Sequence, residues 1–344
     1  MIPPLALVTI GILLGSSSPA GGHSVGEVFK RVRASVVTIR VTERTIDRDS
    51  PDTVSGVSTV GSGVLVSSDG RVITAAHVAH LADEIVVTFV DGSAVDARVV
   101  ASEPEADVAL LQLARVPAGA LSATLADSDT VDVGDQVFVV GAPYGIRQTL
   151  SVGHISARHQ PNTVYAAMSR AEFFQTDAAI NQGNSGGPMF SMSGEVVGIV
   201  SHIVSKSGGS EGLGFVVTSN MARRLLLERK SVWSGFSGYF LSGDLARAFN
   251  LPQPTGLLVQ RVAANSPAAR IGLRAGALKA LLPSDGTELT LGGDVILQVQ
   301  GIPVGGVGTY ERIQADLGRL HPGGEITITV LRDGRQVELV TRLP

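Results

Sequence analysis

Between Ser35 and about Thr218 the chain alternates short β-branched runs with turns: VVTIRV (36 to 41), EIVVTFV (84 to 90) and QVFVVG (136 to 141) are separated by Gly, Asp or Ser. Several short strands at this spacing predict a barrel or a sandwich. Asp69-Gly70 and Asp91-Gly92 sit between alternating runs, where two-residue hairpin turns require positive φ, so the sheets are expected to be mainly antiparallel. The 41 glycines fit short strands and tight turns better than long helices.

A length of 344 residues fits about two domains by the usual length prior, and the composition shifts where a second one is expected. Asn220 to Lys230 (NMARRLLLERK) places Met221, Leu225 and Leu226 on one helical face, capped by Ser219 or Asn220, and should close the first domain. A small, flexible stretch follows at Ser234 to Gly238. Beyond it come GLLVQRV (256 to 262), a helix start at 266 to 269, DVILQVQG (294 to 301), a helix near Val307 to Leu320 and two final strands. These read as a mixed β/α module of about 100 residues. The expected division is 1–22 leader, 23–222 first domain, 223–235 linker and 236–344 second domain.

The formal charge of −4 and the lack of any long cationic block give no footprint for nucleic acid. With no cysteine, disulfides, thiol catalysis and Cys-based zinc sites are excluded. Ile2 to Leu14 is an apolar run followed by Ser18-Pro19-Ala20, which has the form of a cleavage site; it reads as a secretory signal peptide, or as an anchor if uncleaved.

Three separated features carry chemistry. His77 ends Thr74-Ala75-Ala76-His77 at the entry to a helical turn. Asp107 opens the apolar strand DVALLQL, where a desolvated acid needs a partner such as an imidazole N–H. Ser185 lies in Asn181-Gln182-Gly183-Asn184-Ser185-Gly186-Gly187-Pro188. Each alone has an ordinary structural explanation, but His…Asp…Ser is one of the known chain orders of a catalytic triad. Acyl transfer needs an exposed hydroxyl and two backbone N–H groups aimed at the developing oxyanion, predicted here as those of Gly183 and Ser185; glycine at 183 allows the turn and leaves room for the carbonyl. His77 and His80, at i and i+3, also raise a metal hydrolase, but no HExxH pattern accompanies them. His80 is more simply a surface or supporting residue.

TAAHV, DVALLQL and TDAAINQGNSGGPMF, with GSGVLVSSDG upstream and GIVSHIVSKSGG…GLGFVVTSNM downstream, closely resemble the HtrA (Deg) family of trypsin-like serine proteases, over roughly Val25 to the C-terminus. The resemblance implies a mainly β chain: a double antiparallel β-barrel (chymotrypsin-like) protease domain, then a mixed β/α PDZ domain. It implies a trimeric building block and no metal or other cofactor. It places the triad on His77, Asp107 and Ser185, oxyanion donors on Gly183, Asn184 and Ser185, and the S1 pocket on Ile180, Ile203 and Val204. Those three are aliphatic, so a small or medium aliphatic P1 residue is expected.

GLLVQRVAANSPAARIGLRAG and LGGDVILQVQGIPV carry the PDZ resemblance. Its carboxylate-binding loop is expected near Gly238, Tyr239, Phe240 and Leu241, where Phe240 or Leu241 replaces a glycine often found late in that loop. ALKALLPSDGTELTLGGD is longer than the usual Gly-Asp turn, and Gly212 to Phe215 mimics a PDZ loop but fits the last strand of the protease domain. The expected function is periplasmic or secreted proteolysis of misfolded or exposed chains in envelope quality control, with peptide C-termini binding the PDZ domain. The alternative is a chaperone or PDZ scaffold whose protease fold is catalytically silent. Tyr144 to Ser151, Arg158 to Ala171 and Ser205 to Glu211 are expected to surround the site and to order or disorder as a switch.

Overall fold

The computed structural model describes residues 24–46, 54–163, 168–229, 233–282, 286–306, 308–321 and 323–342. The expected leader at 1–22 lies outside them, as do part of the Arg158 to Ala171 loop and the expected helix start at Val307.

A capped helix, α1 (Val25–Val32), leads into the first barrel: β1 (Val36–Ile46), β2 (Val54–Leu65), β3 (Arg71–Thr74), a short helix α2 (Ala76–Ala79), β4 (Glu84–Thr88), β5 (Ala94–Glu103) and β6 (Val108–Leu113). The strands close in the order β1-β2-β3-β6-β5-β4. Gly70 and Gly92 take the expected positive φ, +93° and +86°, but the connections run from Leu65 to Arg71 and from Thr88 to Ala94, so they are not two-residue turns. The second barrel is formed by β7 (Gln136–Gly141), β8 (Thr149–His159), β9 (Phe173–Thr176), β10 (Pro188–Ser191), β11 (Val196–Ile203) and β12 (Gly214–Thr218), closed as β10-β11-β12-β9-β8-β7. Every pairing within the two barrels is antiparallel.

Alternation along these strands buries one set of side chains inside each barrel. Ile39, Leu65, Val87 and Leu111 fill the first; Val139, Ile155, Phe174 and Val200 fill the second. A third apolar cluster, with Val64, Ile73, Phe138 and Phe190, lies between the barrels and receives Met221 and Leu225 from the closing helix. That helix starts one residue earlier than expected: α3 (Ser219–Arg223) has Thr218 as N-cap and continues as a π-turn over Arg224–Glu228. Since Leu225 and Leu226 are buried with barrel residues, the core of the two-barrel unit reaches beyond residue 222.

The C-terminal unit comprises β13 (Phe236–Ser242), α4 (Gly243–Ala248), β14 (Thr255–Val262), α5 (Pro267–Arg270), β15 (Leu278–Leu281), β16 (Glu288–Leu291), β17 (Val295–Val299), β18 (Ile302–Pro303), α6 (Thr309–Gly318), β19 (Glu325–Arg332) and β20 (Arg335–Arg342). Its main sheet runs β13-β14-β17-β19-β20, with β18 on β17. The long insertion forms the separate hairpin β15-β16. Ser266 caps α5 through its hydroxyl with Pro267 at the first helical position, as the Ser-Pro-Ala-Ala run predicted.

Candidate active site

His77 and Asp107 are in contact where the barrels meet, and Ser185 is tied to the pair through Ser201, whose carbonyl accepts from the Ser185 hydroxyl and whose own hydroxyl donates to Asp107; no hydrogen bond joins Ser185 to His77 among the described residues. α2 begins directly after β3, so His77 sits in its first turn and both its backbone and ring face Asp107. Asp107 Oδ1 accepts the His77 backbone N–H at 3.0 Å, while His77 Nδ1 lies 2.9 Å from Oδ1 and 3.0 Å from Oδ2. Asp107 itself follows a 3-10 turn and takes a left-handed conformation, φ +52°, uncommon for a residue with a Cβ. That conformation turns its carboxylate back toward α2, and the side chain is only 3 % exposed.

Burial works against the Asp107 charge, but hydrogen bonds and the positive field from His77, then the Ser201 hydroxyl, hold its pKa below the ordinary carboxylate value. Burial pushes the His77 pKa down, yet the hydrogen bond and charge of Asp107 more than offset this, leaving it above the ordinary histidine value. The pair fixes the proton on Nδ1 and leaves Nε2 to act as a base.

The Ser185 loop is folded by glycines and by the other barrel. Gly183 has φ +101°, and a Cβ there would lie 2.3 Å from the Ala142 carbonyl oxygen. Gly186 has φ +81°, and a Cβ there would lie 2.1 Å from Thr74 Oγ1. Ser62 on β2 fastens the loop twice, its N–H donating to Ser185 O at 2.8 Å and its hydroxyl to Gly183 O at 2.7 Å, while its Oγ accepts from Ala142 N, just after β7, at 2.9 Å. Among the described residues, the N–H groups of Gly183 and Ser185 donate to no acceptor. Asn184 differs from the expectation, because its N–H donates to Asn181 O at 3.0 Å and closes a turn. Two free donors remain, Gly183 and Ser185. The Ser185 hydroxyl donates to Ser201 O at 3.2 Å.

Of the expected S1 residues, Ile180 and Ile203 pack in one cluster inside the second barrel, and Gly214 on the facing strand makes room for Ile180. Val204 is not brought in: it is 41 % exposed and bonds Leu213 through its backbone. Two residues missed in the sequence support the site. Ser62 had a signal as a serine between two glycines in a strand, and Ser201 as a hydroxyl in the apolar run GIVSHI. Ser201 donates its hydroxyl hydrogen bond to Asp107 Oδ2.

His80 is buried rather than on the surface, with Nδ1 2.9 Å from Ser102 Oγ and Nε2 2.9 Å from Phe236 O. Both ring nitrogens are occupied, so it cannot join His77 on a metal. No group of metal-binding side chains occurs among the described residues.

Gly238 to Leu241 does not form a loop. It is the middle of β13, paired with β14 at Gly238↔Val259 through Leu241↔Gly256. A register shift falls between Ser237 and Gly238, and beyond it successive N–H groups point to opposite edges, so only those on the outer edge of β13 are open to an added chain. β13 is an edge strand, and its outer edge has the form needed to accept an added peptide strand.

Residues 61–199 match the trypsin-like peptidase domain family and 212–343 the PDZ domain family. The second match begins just before β12, which is built into the second barrel. Solved structures of the HtrA-type protease AlgW are similar: with a decapeptide, 30 % identity and a TM-score of 0.54, covering 94 % of this chain and 99 % of that one. The chain belongs to the HtrA (Deg) family. Among curated relatives of this HtrA chain, a probable periplasmic serine endoprotease DegP-like of Halomonas elongata is 38 % identical over 284 residues, 80 % of this chain and 54 % of that protein. Periplasmic serine endoprotease DegP of Escherichia coli K12 is 34 % identical over 287 residues, 81 % and 56 %. This HtrA chain thus spans about half the length of the curated relatives it matches.

Proposed function

We propose that the chain is a serine endopeptidase acting through an acyl-enzyme on exposed or misfolded polypeptide in the periplasm. The observation that carries this is the buried Asp107 carboxylate orienting His77 Nδ1 at 2.9 Å beside a Ser185 loop with two free backbone donors. The hydroxyl of Ser185 turns from Ser201 O to His77 Nε2, which takes its proton as Oγ attacks the substrate carbonyl carbon. The oxyanion accepts from Gly183 N–H and Ser185 N–H, donors typically worth about 2.7–4 kcal/mol each. His77⁺ returns the proton to the leaving amine, and water then hydrolyses the acyl-enzyme by the same steps.

Ile180 and Ile203 provide an apolar floor with no acid to pair a basic side chain, which supports Val, Ile or Ala at P1. Periplasmic location, a trimeric building block and capture of peptide C-termini along β13 follow from the family and belong to the same proposal. The described residues contain no helix long and apolar enough to cross a membrane.

The test is cleavage of labelled casein by the wild-type chain and by Ser185→Ala. Loss of turnover in the variant is expected; equal activity in both, or none in either, would overturn the reading in favour of a binding protein with a silent protease fold. Sequencing the products checks P1, and a majority of Arg or Lys there would refute the apolar pocket.

A further inference from the structure

β11 carries a bulge between Val200 and His202, and its extra residue is Ser201. A bulge re-aims side chains that strict alternation would send to opposite faces. Here it brings two consecutive side chains together: Ser201 Oγ lies 2.9 Å from His202 Nδ1, while also bonding Asp107 Oδ2. The proton positions follow from counting donors. The Asp107 carboxylate can only accept, so the single Ser201 hydroxyl proton points to it. Ser201 Oγ must then accept from His202, which requires the proton on His202 Nδ1.

The His202 ring is held for this purpose. It stacks on Phe215 of β12 with centroids 5.1 Å apart and planes 6° apart, and meets Phe173 of β9 edge-on at 5.4 Å. Among the described residues, the titratable groups that act on it are Asp107 and His77, and His159 of β8 reaches the same Phe215 ring at 5.9 Å. Burial first, then repulsion from His77, outweigh attraction to Asp107 and lower the His202 pKa, so the ring is neutral when His77 becomes an imidazolium.

We propose that His202 is a positioning residue for the catalytic carboxylate: its Nδ1–H locks the Ser201 hydroxyl onto Asp107, extending the triad to a fourth and fifth member. This rests on the endopeptidase reading above. With the donor gone, the Ser201 hydroxyl turns more freely and shields the Asp107 charge less. Asp107 then holds the His77 imidazolium more tightly, and more alkaline conditions are needed to free the base.

The experiment compares pH profiles of kcat and kcat/KM for wild type, His202→Phe, His202→Asn, Ser201→Ala and the Ser201→Ala/His202→Phe double variant, on a peptide taken from the casein cleavage map. His202→Phe keeps the aromatic stack but cannot donate. It should lower kcat about threefold to tenfold with little change in KM, and move the acidic limb to higher pH. His202→Asn, with an amide N–H near the Nδ1 position, should return the limb toward wild type. In the double variant the loss should equal that of Ser201→Ala alone, because one hydroxyl transmits the effect. A His202→Phe enzyme with wild-type kcat and limb, or fully additive losses in the double variant, would overturn the proposal and leave His202 as packing between two rings. If His202→Phe fails to fold, the limb of His202→Gln, whose amide cannot reach the same point, against that of His202→Asn decides: equal limbs overturn it. An inactive wild type would instead count against the endopeptidase reading.

Discussion

Ser62 and Gly183 belong to different barrels, and the hydroxyl of the first donates to the carbonyl of the second at 2.7 Å. The Gly183 peptide is thereby held with its carbonyl turned toward β2, which leaves the N–H of Gly183 free of any acceptor among the described residues. Ser62→Ala removes this restraint and also strips Ala142 N–H of its acceptor. Groups left unpaired in a buried site cost about 1–3 kcal/mol, so a drop of several degrees in Tm is expected by calorimetry. If the Gly183 peptide then samples orientations that withdraw its N–H, kcat should fall by up to about 10²-fold, with KM little changed. An unaltered kcat in a folded Ser62→Ala protein would count against the restraint.

Gly183→Ala asks whether the loop tolerates a side chain at all. The added Cβ would meet Ala142 O at 2.3 Å, and φ +101° is a region in which alanine is strained. Because the clash is with backbone rather than a pliable side chain, the loop must move. The expected outcome is a folded protein with kcat reduced by at least about 100-fold, since displacing one oxyanion donor alone costs that much. Near-infrared-labelled casein turnover, read beside a near-ultraviolet circular dichroism spectrum, checks both halves.

How far the sequence revealed this site depended on how local each contact is. His77 and Asp107 were legible because each stands at a strand end with a distinctive neighbourhood, and Ser185 because its glycines announce a forced turn. Ser62 and Ser201 were not singled out, since each bonds a partner on the other barrel, 121 and 94 residues away. The bulge at Ser201 is equally illegible in the sequence: period-two alternation from Val200 would send His202 and Val204 inward, but the extra residue reverses the parity, so Ile203 joins Val200 in the barrel and Val204 faces out. The strand at Gly238 to Leu241, where a loop was expected, is likewise set at long range: its pairing with β14 decides loop or strand, and no short-range pattern encodes it.

The acidic limb of activity should report His77. Its folded pKa lies above the usual histidine value, and the base must be neutral, so activity is lost as pH falls through that raised value. Asp107→Asn removes the carboxylate that raises it, moving the limb to lower pH, and releases the tautomer, with kcat expected to fall about 10⁴-fold. The same shift bears on folding. A raised folded pKa gives stability that is full below about pH 6.5 and fades as pH rises through the folded value. Proton NMR of the His77 ring in wild type and Asp107→Asn checks the direction; an unshifted His77 titration would contradict it.

One carboxylate organises the loop between β11 and β12. Glu211 Oε1 accepts from Ser207 N at 2.9 Å, Ser207 Oγ at 2.7 Å, and Lys206 N and Ser205 Oγ at 3.2 Å. The Ser207 hydroxyl and N–H, then the Lys206 N–H, bring its pKa to about 2, so this ordering is present above the ordinary carboxylate range and is lost as pH falls toward that value. The next turn reaches the nucleophile loop, because Ser210 N donates to Asn181 Oδ1 at 3.1 Å and Asn181 O holds Asn184 N. Glu211→Ala should therefore do two things at neutral pH: speed trypsin nicking after Lys206, and lower kcat by a factor of about 2–10, as loosening of a shell around a catalytic loop does. Faster nicking with full activity would mean that the loop is ordered by Glu211 but does not support Ser185. Unchanged nicking would mean that the four contacts accepted by Glu211 do not hold the loop, and that its order comes from the backbone bond between Val204 and Leu213 instead.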